Sequence, residues 1–453
     1  MSKSLSPTPA FPPHSVGRVI RSERGLASLI VVSLLFFIIS LVAAYTNRNL
    51  IFEQRTSGNQ YRATQAFEAA EAGVEWALAM LNNGRSTLAC NATDDATFTS
   101  FRQRYLSIDT ETGIVQPLPN QATQLQAPPL PAIDAAWPSC SFDGTNWVCS
   151  CPTQGRATLA AAAATGTSPS FRMRFVQKPA ARPGTIWLEV NGCTRPDDAC
   201  LDFPATGLQG EGRARVEVLL ALKSALPAIP TAAVTVRGDF NVNGVAFGVF
   251  NPSVVSSGFA LLTGGALTND GSLRFGGAAG APVSREALVP LPAAFTALAG
   301  IPSGDRFFSA VFGAEFETYR DQPATLLLPC ATLTCDAALL RQVLGRNPGR
   351  IIWAQGPVAL SGGADLGTAN QPVVLVVEGS LSLGNITVNG LIYGRDQPWS
   401  LTGANAVVRG ALVAENNLQG GSTIDVVHDS QVLSVLRWQH GSFVRVPGAW
   451  RDY

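Results

Sequence analysis

The sequence predicts an α+β protein: a long N-terminal transmembrane helix, then a β-rich body whose C-terminal part is a short parallel β-helix with a small helical insertion. Three patterns predict it. Leu26 to Tyr45 form an unbroken run without a charged side chain. Strand-like alternation fills several runs between Phe171 and Leu222. Beyond Ala232, short β-prone runs are broken at intervals by glycine and asparagine.

At about 1.5 Å per residue the apolar run spans roughly 30 Å, the hydrocarbon thickness of a bilayer. It is longer than the apolar core of a secretory signal peptide. No proline interrupts Asn47 to Asn82, so the helix is expected to continue out of the membrane, about 85 Å in all. Arg18, Arg21 and Arg24 precede the span, which favours a cytoplasmic N-terminus, while Arg48 and Arg55 beyond it reduce the asymmetry. The C-terminal bulk is expected outside the cytoplasm.

The polar half of the helix carries two stripes. Phe67, Val74, Leu78 and Leu81 make one, with Glu71 in the same row; Ala63, Ala66, Ala70, Gly73 and Ala77 make the other. Both can dock on the protein's own body, as amphipathic helices do. Small side chains also let neighbouring helices approach closely, and the small row is therefore expected to pack on other helices.

From Gly84 to about Thr231 the chain reads as an irregular, loop-rich domain. Gln116 to Pro138 contains six prolines and reads as an extended connector. Strands are expected over Phe171 to Gln177, Thr185 to Val190 and Ala214 to Leu222; in the last, Val216, Val218 and Leu220 alternate with Arg215, Glu217 and Leu219. A helix packed on an antiparallel sheet follows. Residues 232–453 read as the second β domain. Runs such as Val373 to Gly394 and Val407 to Leu418 have the strand-and-turn texture of stacked parallel rungs. A β-sandwich is the alternative. The insertion spans about Pro282 to Gly349, with helices expected over Leu291 to Ala299, Arg306 to Tyr319 and Ala337 to Leu344.

Eight cysteines, an even number in an exported chain, read as disulfides. Cys193 with Cys200 and Cys330 with Cys335 are the local pairs, and Cys90, Cys140, Cys149 and Cys151 are expected to pair among themselves. Zinc is the rival, but Cys149-Ser-Cys151 lacks a second pair or a nearby histidine. No metal and no cofactor is expected.

Net charge is zero and lysines number three among 453 residues, so no basic footprint for nucleic acid exists. Catalytic signals are weak. His14 precedes the apolar run; His428, Asp429 and Ser430 are consecutive, and neighbours on a strand point to opposite faces. No nucleophile elbow or phosphate loop occurs, and Gly207, Gly210 and Gly212 do not match a dinucleotide fingerprint. Asp94, Asp95, Asp197, Asp198, Asp239, Asp270 and Asp365 are scattered, mostly at turn-forming positions. No catalytic residue is expected, although a tethered glycan-active enzyme stays a minor alternative if Asp239, Asp270, Asp365 and Asp425 cluster.

Arg24-Gly25, the apolar helix, Glu53-Gln54-Arg55-Thr56-Ser57-Gly58-Asn59 and Gln65-Ala66-Phe67-Glu68-Ala69-Ala70-Glu71-Ala72 together resemble the N-terminal region of PilX-type minor pilins of type IV pilus systems. The closing Val446 to Tyr453 resembles larger members less specifically. The resemblance implies a structural role in pilus initiation or at the tip, and residues 1–25 as a leader removed by prepilin peptidase between Gly25 and Leu26. The expected partners are other minor and major pilins and the assembly machinery, with the body acting as a tip adhesin. It places the chain in the inner membrane, body in the periplasm, and later in the pilus at the cell surface. Major pilins carry a glutamate at the fifth mature position, where this chain has Ile30. A permanently anchored envelope protein that binds a ligand through its β-rich domain is the alternative.

Overall fold

The computed structural model describes residues 24–121, 135–160, 167–179, 181–203, 212–242, 246–253, 258–269, 272–277, 288–290, 305–395 and 398–453. The chain divides into two compact units, residues 1–61 and 62–453. Helix α1 (Arg24–Leu81) contributes to both. It ends at Asn82-Asn83-Gly84, where its last carbonyls are capped by cations. Arg102 donates to the Leu81 carbonyl (3.1 and 3.3 Å) and Arg350 to that of Asn82.

In the second unit, α2 (Phe101–Tyr105) is held by a capping box between Ser100 and Gln103 and leads into a two-stranded ribbon, β1 (Leu106–Ile108) with β2 (Val115–Pro117). An antiparallel sheet follows, built from β3 (Ser139–Phe142), β4 (Trp147–Ser150), β5 (Ser170–Val176), β6 (Thr185–Cys193) and β7 (Arg213–Ser224). The short helix α3 (Asp198–Leu201) lies between β6 and β7. One face of the sheet meets residues 66–81 of α1: Val74, Ala77, Phe171, Val190, Val216 and Val218 share a buried core. The other face is a ladder of charge, in which Glu189 pairs with Arg174 and Arg215, and Glu217 with Lys178 and Arg215.

The sixth strand of this sheet comes from the far end of the chain. β24 (Gly441–Asp452) pairs with β7, giving the order β24-β7-β6-β5-β3-β4. The expected division at residue 231 is therefore corrected: the C-terminal strand belongs with the first sheet. Its backbone is fixed to the end of α1 by Asn82, which donates to the Phe443 carbonyl (2.9 Å) and accepts from the Phe443 amide (2.8 Å).

The rest is a stack of parallel strands. β8 (Val234–Val236), β9 (Phe240–Val242) and β10 (Gly248–Asn251) form one rung, β11 (Leu261–Thr263), β12 (Leu267–Asn269) and β13 (Arg274–Gly277) the next, and β14 (Leu288–Pro290) lies beyond β11. Helices α4 (Asp305–Phe312) and α5 (Phe316–Arg320) precede β15 (Thr325–Leu328), β16 (Cys335–Asp336) and α6 (Ala337–Arg346). Then come β17 (Ile351–Ala354), β18 (Val358–Ser361), β19 (Val373–Val377), β20 (Leu381–Gly384), β21 (Thr387–Gly394), β22 (Trp399–Ala414) and β23 (Leu418–His428), with α7 (Ser430–Gln439) before β24.

Stacking order departs from chain order. β15, β17, β19, β21 and β22 pair in succession, and β22 then pairs with β8, so the last rungs made lie against the first. The region around Pro282 to Gly349 is thus not wholly an inserted helical piece, since β15 and β16 within it are rung strands. Helices are found near the two later expected positions; Leu291 to Ala299 lies outside the described residues.

Along these rungs Ile352, Leu375, Ile392 and Leu412 point into the stack. Their neighbours Ile351, Trp353, Val374, Val376, Leu391 and Tyr393 point outward and are covered by Phe308, Phe312 and Tyr319 of α4 and α5 and by Leu433 and Leu436 of α7. Burial on both faces explains continuous apolar runs such as Val373–Val377. At one corner Gly390 (φ 149°) and Gly410 (φ 137°) stack, and a Cβ on Gly410 would collide with the Gly390 carbonyl oxygen.

Candidate functional site

In the first unit every side chain described from Ser28 to Leu50 is exposed, including Leu29, Ile30, Phe36, Phe37 and Ile39. A helix apolar on all sides is stable only when something apolar surrounds it, a bilayer or other helices. α1 is long and apolar enough to cross a membrane. Gly25 and Leu26 lie in its first turn. Ile30 sits in the exposed run at 54% accessibility, where a carboxylate would carry a large desolvation cost in lipid.

The small-residue row behaves differently from expectation. Ala66, Ala70, Gly73 and Ala77 are buried against the chain's own sheet, as is Val74 of the larger stripe. The match is close: a Cβ on Gly73 would come within 2.7 Å of Val190 and 2.9 Å of Phe171. A Cβ on Gly192 of β6 would collide with the Ala66 carbonyl and lie 2.5 Å from the Ala70 amide nitrogen. These residues are corrected as contacts for sister helices, because sheet and helix backbones already occupy the approach they permit. Ala63 alone in the row is exposed.

Phe67 is half-buried and meets Trp450 of β24 edge-to-face at 6.1 Å. Glu71 accepts from Trp450 Nε1 at 3.0 Å and pairs with Arg445 at 3.2 Å, and Arg445 also reaches Glu75 at 3.3 Å. Sequence reading missed this latch. The alternation Phe443, Arg445 before Pro447 was the available signal, although pairing across so many residues leaves no local trace.

The cysteines form four disulfides: Cys90–Cys151, Cys140–Cys149, Cys193–Cys200 and Cys330–Cys335. Among the described residues no group of three or more histidine, cysteine or acidic side chains is placed to hold a metal.

The residues weighed for catalysis serve the fold. His428 Nε2 lies 2.8 Å from the Pro230 carbonyl, and burial lowers its pKa. Asp429 caps α7 through the amides of Gln431 and Val432. Asp239 accepts from the Ala266 amide at 2.7 Å, Asp425 pairs with Arg274, and Asp198 and Asp202 bind Arg156 and Arg172. Asp365 is exposed. Asp270, Gly207 and Gly210 lie outside the described residues. His440 is buried beside Arg102, and burial first, then that guanidinium, push its pKa down to about 4.

Against this geometry, residues 24–75 match the PilX N-terminal family model. Over this segment the chain is similar to the PilX N-terminal family. The match covers the exposed apolar run and most of the buried row, and so includes residues of both units. Comparison with curated proteins finds no match. Among solved structures, the competence-associated pilin ComZ from Thermus thermophilus aligns over 86% of this chain and 98% of that one, at 11% identity and a TM-score of 0.20. At that score the likeness carries no argument, and the PilX-type helix stands on the sequence match and its own geometry.

Proposed function

We propose that this chain is a non-enzymatic minor pilin of a type IV pilus, acting in assembly or at the tip. The observation that carries the reading is the coincidence of the PilX-type match at residues 24–75 with one uninterrupted helix whose first half is apolar and exposed all round. Before assembly that half lies in the inner membrane, with the body in the periplasm; afterwards it lies among the helices of other pilins in the pilus at the cell surface. Both surroundings are apolar, so leaving lipid is offset by helix packing.

In this reading residues 1–25 are a leader cut by prepilin peptidase after Gly25. Residues 26–82 are the pilin helix, 83–231 with the returning C-terminal strand the pilin-like domain, and 232–440 a β-helix that serves as tip adhesin. Sister helices meet the stretch from Leu29 to Phe52, since the Ala66 to Ala77 row is taken up internally. Ile30 favours the second reading, a permanently anchored envelope protein, because the residue that would pair with a neighbour's N-terminal amine is missing.

N-terminal sequencing of the membrane-extracted protein separates the two. The pilin reading expects a start at Leu26, and a Gly25→Trp variant that keeps the mass of the full precursor. An intact Met1 in the wild-type protein, with no pilins co-purifying, would establish the permanent anchor instead.

A further inference from the structure

A cleft of about 540 Å³ lies in the second unit, within the size range of ligand sites. Its walls come from distant parts of the sequence: the end of α2 with β1, the C-terminal turns of α6, the loop before β19, and the end of α7. The floor is aliphatic, from Leu106, Ile108, Leu118 and Leu344. Gln103, Arg341, Asp365 and Asn370 also line it, with Arg102 beside them.

The decisive feature is the edge of β1. Among the described residues its only strand partner is β2. The bonds from the Leu118 amide to the Tyr105 carbonyl and from the Asp109 amide to the Ile114 carbonyl fix the phase of that pairing. Tyr105, Ser107 and Asp109 therefore face β2, and Leu106 and Ile108 turn their backbone groups the other way. Two of those four groups are satisfied: the Leu106 amide donates to the Arg102 carbonyl, and the Ile108 carbonyl accepts from Gln439 Nε2 at 3.1 Å. Among the described residues the Leu106 carbonyl and the Ile108 amide find no hydrogen-bond partner. A carbonyl and an amide that bracket one residue in this way are the pair that a single residue of a parallel strand satisfies, donating to the first and accepting from the second.

We propose that this cleft binds an extended peptide segment of another protein, running parallel to β1 with an aliphatic side chain on the floor. This is strand addition, in which main-chain bonds give affinity and a side-chain pocket gives selectivity. Arg102 and His440 also line the cleft, but Arg102 gives its donors to the Leu81, Gln439 and Gly441 carbonyls and the His440 ring is buried, which leaves Arg341 opposite Asp365 for a polyanion and no exposed ring face for a sugar. The site is independent of whether the chain enters a filament.

The test uses the full chain in detergent micelles and a display library of random seven-residue peptides, with maltotetraose as the rival probe. Enriched peptides carrying an aliphatic residue are expected, with calorimetric binding weakened at least tenfold in two variants. Ile108→Pro removes the unpaired amide at a position where an edge strand tolerates proline, and Leu344→Arg fills the floor without touching the backbone. Thermal melts check that each variant folds, and Leu344→Arg decides alone if Ile108→Pro does not. Failure to enrich any peptide, equal binding by the folded variants, or saturable binding of maltotetraose in place of peptide would overturn the assignment.

Discussion

Replacing Gly192 by alanine adds one methyl group at the point where β6 touches α1. That methyl would collide with the Ala66 carbonyl oxygen and lie 2.5 Å from the Ala70 nitrogen and 2.9 Å from the Ala70 Cβ. Two of the three are backbone atoms of a helix, which cannot rotate away as a side-chain tip can. The helix must therefore lift from the sheet, loosening Val74, Ala77, Phe171 and Val190, all buried in the same core. Overpacking usually costs about 1–3 kcal/mol, and a clash with backbone places this variant near the top, about 3 kcal/mol. In a body of this size that lowers the apparent melting temperature by roughly 5 °C. The assay is a circular-dichroism melt of the detergent-extracted chain, with protease susceptibility near Arg62 as a second readout. Gly58→Ala is the control: nothing lies within 4 Å of that Cβ, and alanine inside a helix gains up to about 1 kcal/mol over glycine. A Gly192→Ala protein that melts within 1 °C of wild type would refute close docking of the small-residue row on the sheet.

Three further outcomes are expected. Asn82→Leu leaves the Phe443 amide and carbonyl without their partner, costing about 2 kcal/mol in denaturant titration, whereas an unchanged midpoint would mean β24 is not anchored there. His440, held neutral with its pKa near 4 against about 6.5 unfolded, contributes stability that is complete above pH 6.5 and is lost as pH falls towards 4, roughly 3 kcal/mol in all; His440→Gln should flatten the stability–pH curve across that window. Among serine-pair variants, loss of Cys90–Cys151, which closes 61 residues, should cost about 4 kcal/mol and loss of Cys330–Cys335, which closes 5, about 2, so the reverse order of denaturation midpoints would contradict the loop-entropy account.

What could be read from the sequence was local. An uncharged run without proline specifies a helix regardless of what surrounds it, and Val216, Val218 and Leu220 announce a half-buried strand by their spacing alone. Cys193 and Cys200 are too near each other to need much more. The stripe Ala66, Ala70, Gly73 announced close approach equally well, but small side chains say that a backbone comes near and not whose. β15 and β16 are too short to show a period, and they fell inside an apparent helical insertion. β24 pairs across more than two hundred residues with β7, and the unpaired edge of β1 depends on where Gln439 happens to lie. Neither can be seen in any window of the chain.

The stacking order has a consequence for how the protein is made. β22 and β23 complete the ladder next to β8 and β9, and β24 completes the sheet begun by β3, so both halves of the body are unfinished until the last residues arrive. Long-range parallel pairing is slow, and its partial states expose strand edges. A chain cut short anywhere before Gly441 lacks an edge of the first sheet, and one cut before Trp399 also lacks the strand that joins the early rungs to the late ones. Only a polypeptide delivered whole can close on itself, so truncated products should remain open and protease-sensitive.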